Sequence, residues 1–132
     1  RVAFIEAFIP LFQHYYKWIS QEQEAVSLNY ESKLTETDFR TLLQLAYPKD
    51  MRVHYTSVGI HKDDITFLLE GLPIKRFGSQ GQQKSFIIAL RLAQYDWLKQ
   101  HLGVRPVLLL DDIFDKLDES RVAKIIEMVN GQ

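Results

Sequence analysis

The chain has 132 residues, of which 46% are hydrophobic and 25% are charged, and its formal net charge is −1. This composition is typical of a globular protein and argues against intrinsic disorder. A strongly basic DNA-binding domain would carry a surplus of Lys and Arg, so any contact with DNA must come from a local patch or from sequence outside this chain. The absence of cysteine excludes disulfides and cysteine-based metal sites.

No apolar run reaches the roughly 20 residues that a membrane helix needs, and no secretory signal is visible. We therefore expect a cytoplasmic protein without membrane contact. The chain begins at Arg1 rather than at Met, and it begins within an apolar pattern. We interpret it as a piece of a longer protein.

Apolar residues at steps of three and four predict a helix over residues 2–20. Pro10 lies inside this pattern and predicts a kink or a helix start. A short strand is predicted at residues 26–30. The first helix carries a stripe of four aromatic residues and one isoleucine, which we call the aromatic stripe and interpret as core packing. It consists of Phe8, Phe12, Tyr15, Tyr16 and Ile19.

The middle of the chain predicts one helix and two strands. Thr37 is a candidate N-cap for a helix that Pro48 would end. Apolar and polar residues alternate over residues 51–55, which predicts a strand. Another strand is predicted at 65–69, and the turn residues after it indicate a short β-hairpin leading into residues 74–77.

The clearest predicted helix covers residues 79–101, with Gly103 as a natural C-cap. A last helix is predicted over residues 119–129, with Asp118 as its N-cap. The buried face of the first of these helices is predicted to consist of Phe86, Leu90, Ala93, Trp97 and Leu98. That of the last helix is predicted to consist of Val122, Ile125, Ile126 and Val129.

Four apolar residues at 107–110 are followed directly by Asp111 and Asp112. An apolar run of this kind predicts a strand buried on both faces of a parallel sheet, and its acids would lie at the sheet edge where ligands bind. This is a Walker B pattern, in which Asp111 can hold Mg²⁺ and Asp112 can orient or deprotonate an attacking water. Taken alone, the pattern also fits a buried strand followed by a solvated acidic turn.

A second pattern lies at the start of the 79–101 helix, where residues 78–83 read GSQGQQ. Ser79 and Gln82 have the spacing of a capping box, which requires no ligand. Gly81 would in addition allow a ligand to approach the backbone closely, and the helix N-terminus favours a phosphate. The segment resembles the ABC signature S-x-G-Q, with Ser79, Gly81 and Gln82 as candidate nucleotide-binding residues.

The order of these patterns along the chain strengthens the functional interpretation of each one. The signature-like segment precedes the Walker B pattern by about thirty residues, and residues 115–118 after the acids resemble the ABC D-loop, which ends at Asp118. Three patterns in this order indicate an ABC-type ATPase.

Three segments together narrow the resemblance to the RecF family. Residues 56–64 read TSVGIHKDD, residues 77–84 read FGSQGQQK, and residues 109–118 read LLDDIFDKLD. The family typically shows T-x-x-G-P-H-R-D-D, S-Q-G-Q-Q-[KR] and L-L-D-D-[VI]-F-x-x-L-D. Ile60 and Lys62 depart from this pattern, and Lys62 keeps the charge of the usual Arg without its planar fork.

The resemblance implies an SMC-like head that forms a homodimer on ATP, binds single-stranded or gapped DNA, and works with recombination mediator proteins in repair, replication and the SOS response. It also implies that Ser79 and Gly81 contact the γ-phosphate of ATP held by the opposite subunit. Asp111 would serve Mg²⁺, Asp112 would stand at the position of the catalytic Glu, and Asp118 would lie at the dimer seam. The cluster at residues 61–64 is either a polar turn or a link to the nucleotide site.

The sequence contains no G-x-x-x-x-G-K-[ST] motif, so it supplies no P-loop. We therefore predict an α/β fold that forms the C-terminal part of an ABC-type P-loop NTPase head, with an attached helical subdomain and the P-loop half absent. Residues 1–64 would end the helical lobe, and residues 65–132 would carry the signature helix, Walker B strand and D-loop. Two alternatives stay open: a non-catalytic protein-interaction module, and another SMC-like head.

Overall fold

The computed structural model describes residues 1–21, 24–103, 105–109 and 117–130, with the side chains of the last two excluded. They fall into two compact units, which we name the core unit (residues 1–28 and 67–132) and the inserted unit (residues 29–66). The elements are α1 (Val2–Ser20), β1 (Val26–Glu31), α2 (Phe39–Val53), β2 (Asp64–Leu69), β3 (Leu72–Pro73), α3 (Ile74–Phe77), α4 (Gln80–Leu102) and α5 (Glu119–Asn130), with short 3-10 turns at Lys33–Thr35 and Ile60–Lys62.

The first helix of the core unit matches its prediction in length and in its buried face. All five residues of the aromatic stripe are buried, and Phe12 and Tyr16 are completely inaccessible. The helix does not start at Pro10 but continues through it. A proline inside a helix costs a hydrogen bond, and here Phe8 and Phe12 are buried on either side of it, which favours a continuous helix.

α4 packs along α1 and supplies the other side of this core. Phe86 is central, with its ring centroid 4.6 Å from that of Phe12 and 5.8 Å from that of Tyr16. The predicted burial of Phe86 and Ala93 is confirmed, whereas Leu90, Trp97 and Leu98 are only half-buried. The buried face is rotated toward a neighbouring stripe, which consists of Ser85, Phe86, Ile88, Ala89, Leu92 and Ala93.

The three strands of the described residues form one sheet in the order β1-β2-β3. β2 and β3 are antiparallel, with Leu68 opposite Pro73 and Leu69 opposite Leu72, so a hairpin is present as predicted. Its second strand is shorter and earlier than expected, because residues 74–77 form the helix α3. The turn residues of the hairpin, Glu70 and Gly71, both have positive φ, 50° and 76°. That geometry matches the twist of adjacent strands in a two-residue hairpin.

The inserted unit differs from its sequence prediction at both ends of α2. Asp38 rather than Thr37 is the N-cap, because its carboxylate accepts a hydrogen bond from the Thr41 N–H at 3.1 Å. The helix does not end at Pro48 but continues to Val53, and His54 closes it in the left-handed region with φ 59°. The strand predicted at residues 51–55 is therefore wrong, since an alternation over so few residues also fits the last turn of a helix.

The strand predicted at residues 107–110 is not present in its described part. Residues 105–109 have no regular secondary structure, and Val107 and Leu109 are each 84% exposed. A strand of a parallel sheet is stabilised by neighbours on both sides, and the sheet of the described residues contains only β1, β2 and β3. The apolar run is therefore left without partner strands among these residues.

The final helix lies within one residue of its predicted bounds. Ile125 is buried as predicted, Val122 is half-buried, and Ile126 is 45% exposed, so the prediction for Ile126 is wrong. One face of α5 contacts α1, and Ile126 follows Ile125 by about 100° around the helix. The side chain of Val129 lies outside the described residues.

Across the described ranges, none of the helices combines the length and the apolar character that crossing a bilayer requires. The domain boundary predicted between residues 64 and 65 stays a prediction.

Candidate functional site

The start of α4 is a complete capping box. The Ser79 Oγ accepts a hydrogen bond from the Gln82 N–H at 3.2 Å, and the Gln82 Oε1 accepts one from the Ser79 N–H at 2.7 Å. Both bonds occur because Ser79 adopts an extended backbone with φ −62° and ψ 163°, which turns its side chain back over the first helical turn. The capping box predicted for Ser79 and Gln82 is confirmed.

The capping bonds leave the Ser79 hydroxyl able to form further hydrogen bonds. A serine hydroxyl has one donor and two acceptor lone pairs, and the capping bond uses one lone pair. The side chain is on the exposed face of the helix start, and Gly81 follows in the first turn, half-buried. An α-helix leaves the first N–H groups without an intrahelical partner and with a positive partial charge. This arrangement can donate hydrogen bonds to an anion.

Gly78 is required for a steric reason that the sequence analysis did not identify. A Cβ at this position would lie 2.7 Å from the Ile74 Cγ1 and 2.8 Å from the Ile74 carbonyl oxygen. The Gly78 N–H donates to that same oxygen at 2.8 Å and ends α3, while its own carbonyl accepts from the Gln83 Nε2 at 2.8 Å. The close approach of the backbone at residue 78 to Ile74 therefore needs glycine here.

Gln82 also connects the capping box to Glu24, which no sequence pattern had indicated. The Gln82 Nε2 donates to the Glu24 Oε1 at 2.8 Å, and the other carboxylate oxygen of Glu24 accepts from the Tyr16 hydroxyl. Burial of Tyr16, its hydrogen bond to Glu24 and the negative charge of Glu24 all raise the pKa of the Tyr16 phenol. Tyr16 therefore stays protonated and acts as a donor.

Arg121, on the first turn of α5, approaches the same Glu24 oxygen as Gln82 does. Its NH1 donates to the Oγ of the fully buried Ser85 at 2.9 Å, and its NH2 lies 3.9 Å from the Glu24 Oε1. Its Nε lies 3.1 Å from the Asp118 Oδ2. One guanidinium thus contacts α4, the segment before β1 and the start of α5.

Asp118 caps α5 as predicted. Its Oδ1 accepts hydrogen bonds from the Ser120 hydroxyl at 2.6 Å and from the Arg121 N–H at 2.9 Å. The bond from Ser120, followed by that from the Arg121 backbone, lowers the pKa of the Asp118 carboxyl. The Asp118 side chain is 57% exposed, so its cap is at the surface of the core unit.

The candidate Walker B acids Asp111 and Asp112 lie outside the described residues, as do the first two residues of the predicted D-loop. Their assignment to Mg²⁺ and to catalysis stays a prediction. The described part of the chain contains no group of three or more His, Asp or Glu side chains that could hold a metal ion.

The polar cluster at residues 61–64 lies wholly in the inserted unit. The Asp63 carboxylate accepts from the Tyr30 hydroxyl, and the His61 Nε2 lies 3.0 Å from the Thr56 carbonyl oxygen. The Lys62 ammonium lies 5.4 Å from the centroid of the Tyr55 ring. These contacts favour the interpretation of the cluster as a polar turn.

Sequence reasoning missed Glu24, Arg121 and Ser85 because their partners are distant in the chain. Gln82 and Glu24 are separated by 58 residues, and Arg121 and Ser85 by 36. The one available signal is Ser85, a polar residue directly before Phe86 on the apolar face of α4. Buried hydroxyls require a hydrogen-bond partner, so Ser85 predicts a donor or acceptor from a neighbouring element.

No family model matches the chain. Individual relatives do match over its whole length. The chain is 59% identical over 132 residues to the DNA replication and repair protein RecF of Flavobacterium johnsoniae, covering 100% of this chain and 37% of that protein. It is 50% identical over 131 residues to the RecF protein of Bacteroides fragilis, covering 99% of this chain and 35% of that protein.

The fold agrees with solved structures. One, described as the recombination mediator protein RecF with an ATP analogue (ATPrS) in the RecFOR pathway, matches with a TM-score of 0.76 and 26% identity, over 98% of this chain and 37% of that chain. The structure of RecF with ATP matches equally well. The chain thus spans little more than a third of the length of its relatives and corresponds to their C-terminal part. Over its whole length, this chain is thus similar in sequence and in fold to the C-terminal part of RecF proteins.

Proposed function

We propose that this chain forms the signature-bearing part of a RecF-type ATPase head that acts in recombinational DNA repair. In this proposal Ser79 and Gly81 contact the γ-phosphate of an ATP molecule held by the opposite subunit of an ATP-dependent homodimer. The observation that carries the proposal is the helix start itself. Its capping box orients Ser79 at an exposed helix N-terminus while leaving the serine hydroxyl able to donate.

The donor set suits a phosphate. The Ser79 hydroxyl and the first-turn N–H groups near Gly81 supply hydrogen-bond donors, and the dipole of the 23-residue helix α4 favours negative charge at this end. Gln82 has both ends of its amide engaged, with Ser79 and with Glu24. We therefore assign Gln82 to orienting Ser79 rather than to direct contact with ATP.

The other roles rest on the family. Asp111 would hold Mg²⁺, Asp112 would orient the attacking water, and Asp118 would lie at the dimer seam beside the nucleotide. Because the sequence contains no P-loop, ATP would be bound and hydrolysed only by the complete head. DNA, recombination mediator proteins and a cytoplasmic location belong to this proposal. Two of its supports are the names of the relatives and the ATP-bound state of the matching RecF structures.

The substitution Ser79→Asp separates a capping role from a ligand role. Asp caps helices as well as Ser does, so the fold should be unaffected. A carboxylate facing a phosphate in a water-poor interface should cost several kcal/mol, because a low dielectric strengthens repulsion. In a full-length RecF protein carrying this segment, we expect an unchanged melting temperature, unchanged ATP affinity of the monomer, and loss of the ATP-dependent dimer in sedimentation.

Ser32→Asp is the matched control. Ser32 also caps a helical turn, by accepting from the Leu34 N–H at 3.2 Å, but it lies in the inserted unit. This control should dimerise with ATP like the unsubstituted protein. If Ser79→Asp also dimerises normally, Ser79 is a cap without a ligand, and the alternative of a non-catalytic interaction module is favoured.

A further inference from the structure

A continuous series of hydrogen bonds and ion pairs joins the start of α4 to the start of α5 within the core unit. It runs from Ser79 to Gln82, to Glu24, to Arg121 and to Asp118. We infer that Glu24 and Arg121 are positioning residues that couple the signature serine to the D-loop aspartate. This inference rests on the proposed function, because Ser79 and Asp118 matter together only if both lie at the ATP-dependent dimer seam.

The first step of the series fixes the orientation of one amide. The Gln82 Oε1 accepts from the Ser79 N–H, so its Nε2 must point the other way, where it donates to the Glu24 Oε1 at 2.8 Å. A displacement of the Glu24 carboxylate would rotate this amide and weaken the capping bond. The position of the Ser79 backbone therefore depends on Glu24, which is 55 residues away in the chain.

The Glu24 carboxylate is surrounded by donors. Gln82 and Arg121 approach one oxygen, and the Tyr16 hydroxyl donates to the other. The raised pKa of Tyr16 keeps that phenol protonated, so it remains a donor. The Glu24 side chain is only 17% exposed. Charge-assisted bonds in such a shielded position are stronger than those at the surface.

Arg121 connects Glu24 to Asp118 at the start of α5. Its guanidinium contacts Ser85, Glu24 and Asp118 at the same time, which requires donors arranged in a planar fork. Because Ser85 is on the buried face of α4, Arg121 holds α5 against the same helix that begins at Ser79. A shift of Asp118 at the start of α5 is thus transmitted to Glu24 and to the capping box.

The test exchanges donor and acceptor between Gln82 and Glu24. Gln82→Glu keeps the capping box, since Glu serves at this position as well as Gln does, but it places a second carboxylate against Glu24. Glu24→Gln removes the charge that Arg121 contacts. The double variant restores one amide and one carboxylate, with the hydrogen bond reversed and the net charge unchanged.

In a full-length RecF protein carrying this segment, each single variant should weaken ATP-dependent dimerisation by about tenfold or more, the usual effect of losing a charge-assisted bond. The double variant should dimerise more tightly than either single variant, because pairs in contact are not additive. It should stay weaker than the unsubstituted protein, because Arg121 still lacks a carboxylate at position 24. The ATP affinity of the monomer should not change. Sedimentation over a range of protein concentrations gives the dimer constants, and nucleotide titration gives the monomer affinity.

An exposed pair on α5 that lies outside the series provides the control. Lys124 and Glu127 form an exposed pair 3.7 Å apart on this helix. The variant with both Lys124→Gln and Glu127→Gln should dimerise normally, since exposed pairs contribute little. Arg121→Lys should weaken ATP-dependent dimerisation about as much as Gln82→Glu or Glu24→Gln does. The reason is that an ammonium cannot reach Ser85, Glu24 and Asp118 at once.

The results separate this inference from the proposed function. If Ser79→Asp abolishes the dimer but Gln82→Glu and Glu24→Gln dimerise normally, the coupling is overturned and the proposed function stands. Failure of the double variant to recover dimerisation, with its melting temperature restored, also overturns the coupling. If Ser79→Asp dimerises normally, the proposed function itself is overturned, and this inference falls with it.

Discussion

In the core unit, α1 buries seven residues against α4 and α5, and the aromatic rings of Phe12, Tyr16 and Phe86 lie in contact. In the inserted unit, α2 buries none of its fifteen residues. Its described contacts include local polar bonds, such as the Asp38 cap and the bond from the Ser57 N–H to the Asp50 carboxylate at 3.1 Å. The long helices of the two units thus differ in how many of their side chains they bury.

This difference explains where sequence patterns succeed. Helical periodicity of apolar residues arises from the helix face that packs on the core. This periodicity therefore predicts the length of α1 and the residues that α1 buries. Where no stripe is buried, periodicity carries little information about helix ends. The prediction for α2 was therefore wrong at Thr37, at Pro48 and at residues 51–55.

The largest expected effect tests the burial difference directly. Phe12→Ala should destabilise the chain by about 3–5 kcal/mol, because it removes a completely buried ring and leaves a cavity beside Phe86. Leu45→Ala on α2, where Leu45 is 74% exposed, should change stability by about 0.5 kcal/mol or less. Urea denaturation of the two variants gives both numbers. Equal losses would contradict the distinction between the units.

A second prediction sharpens the role of close packing inside the core unit. Gly78→Ala should cost about 1–3 kcal/mol, because the new Cβ would collide with the side chain and the carbonyl oxygen of Ile74. Gly103→Ala should cost about 1 kcal/mol for a different reason, a left-handed backbone with φ 62° in open space. Denaturation measures both losses.

Asparagine distinguishes the two causes. Asn tolerates the left-handed region, so Gly103→Asn should recover most of the stability lost in Gly103→Ala. Gly78→Asn should recover nothing, since any side chain meets Ile74. A recovery at residue 78 would show that the close approach is not what requires glycine.

The smallest effect concerns the two helix caps, one from each unit. Hydrogen bonds from Thr41 and from Ser120 lower the pKa values of Asp38 and Asp118 respectively. A lowered folded-state pKa stabilises the fold above the unfolded pKa of about 3.9, and the stabilisation is lost as pH falls through the folded value. Acid should therefore weaken both caps.

The consequences should differ between the units. As pH falls from about 5 to about 2, the first turn of α2 should lose amide protection before the first turn of α5, because buried Ile125 anchors α5 after its cap is protonated. Hydrogen exchange measured along the titration tests this order. Asp38→Asn, which caps without titrating, should remove the pH dependence at α2. Simultaneous loss in both helices would contradict the expected anchoring.

The amino-acid sequence by itself determined the features that depend on residues close together in the chain. The α1 stripe, the β2–β3 hairpin, the capping box of Ser79 with Gln82, and the Asp118 cap all depend on residues within a few positions of one another. The resemblance to RecF proteins was likewise carried by contiguous motifs, and the relatives and solved structures confirm it.

Only the tertiary structure decided the rest. The rotation of the buried face of α4 depends on which side α1 covers, and the exposure of residues 107 and 109 depends on the absence of neighbouring strands among the described residues. The series through Glu24 and Arg121 joins residues separated by tens of positions, so no local pattern contains it. Such contacts form only when distant elements pack together, because a hydrogen bond is specified by where two side chains meet in space.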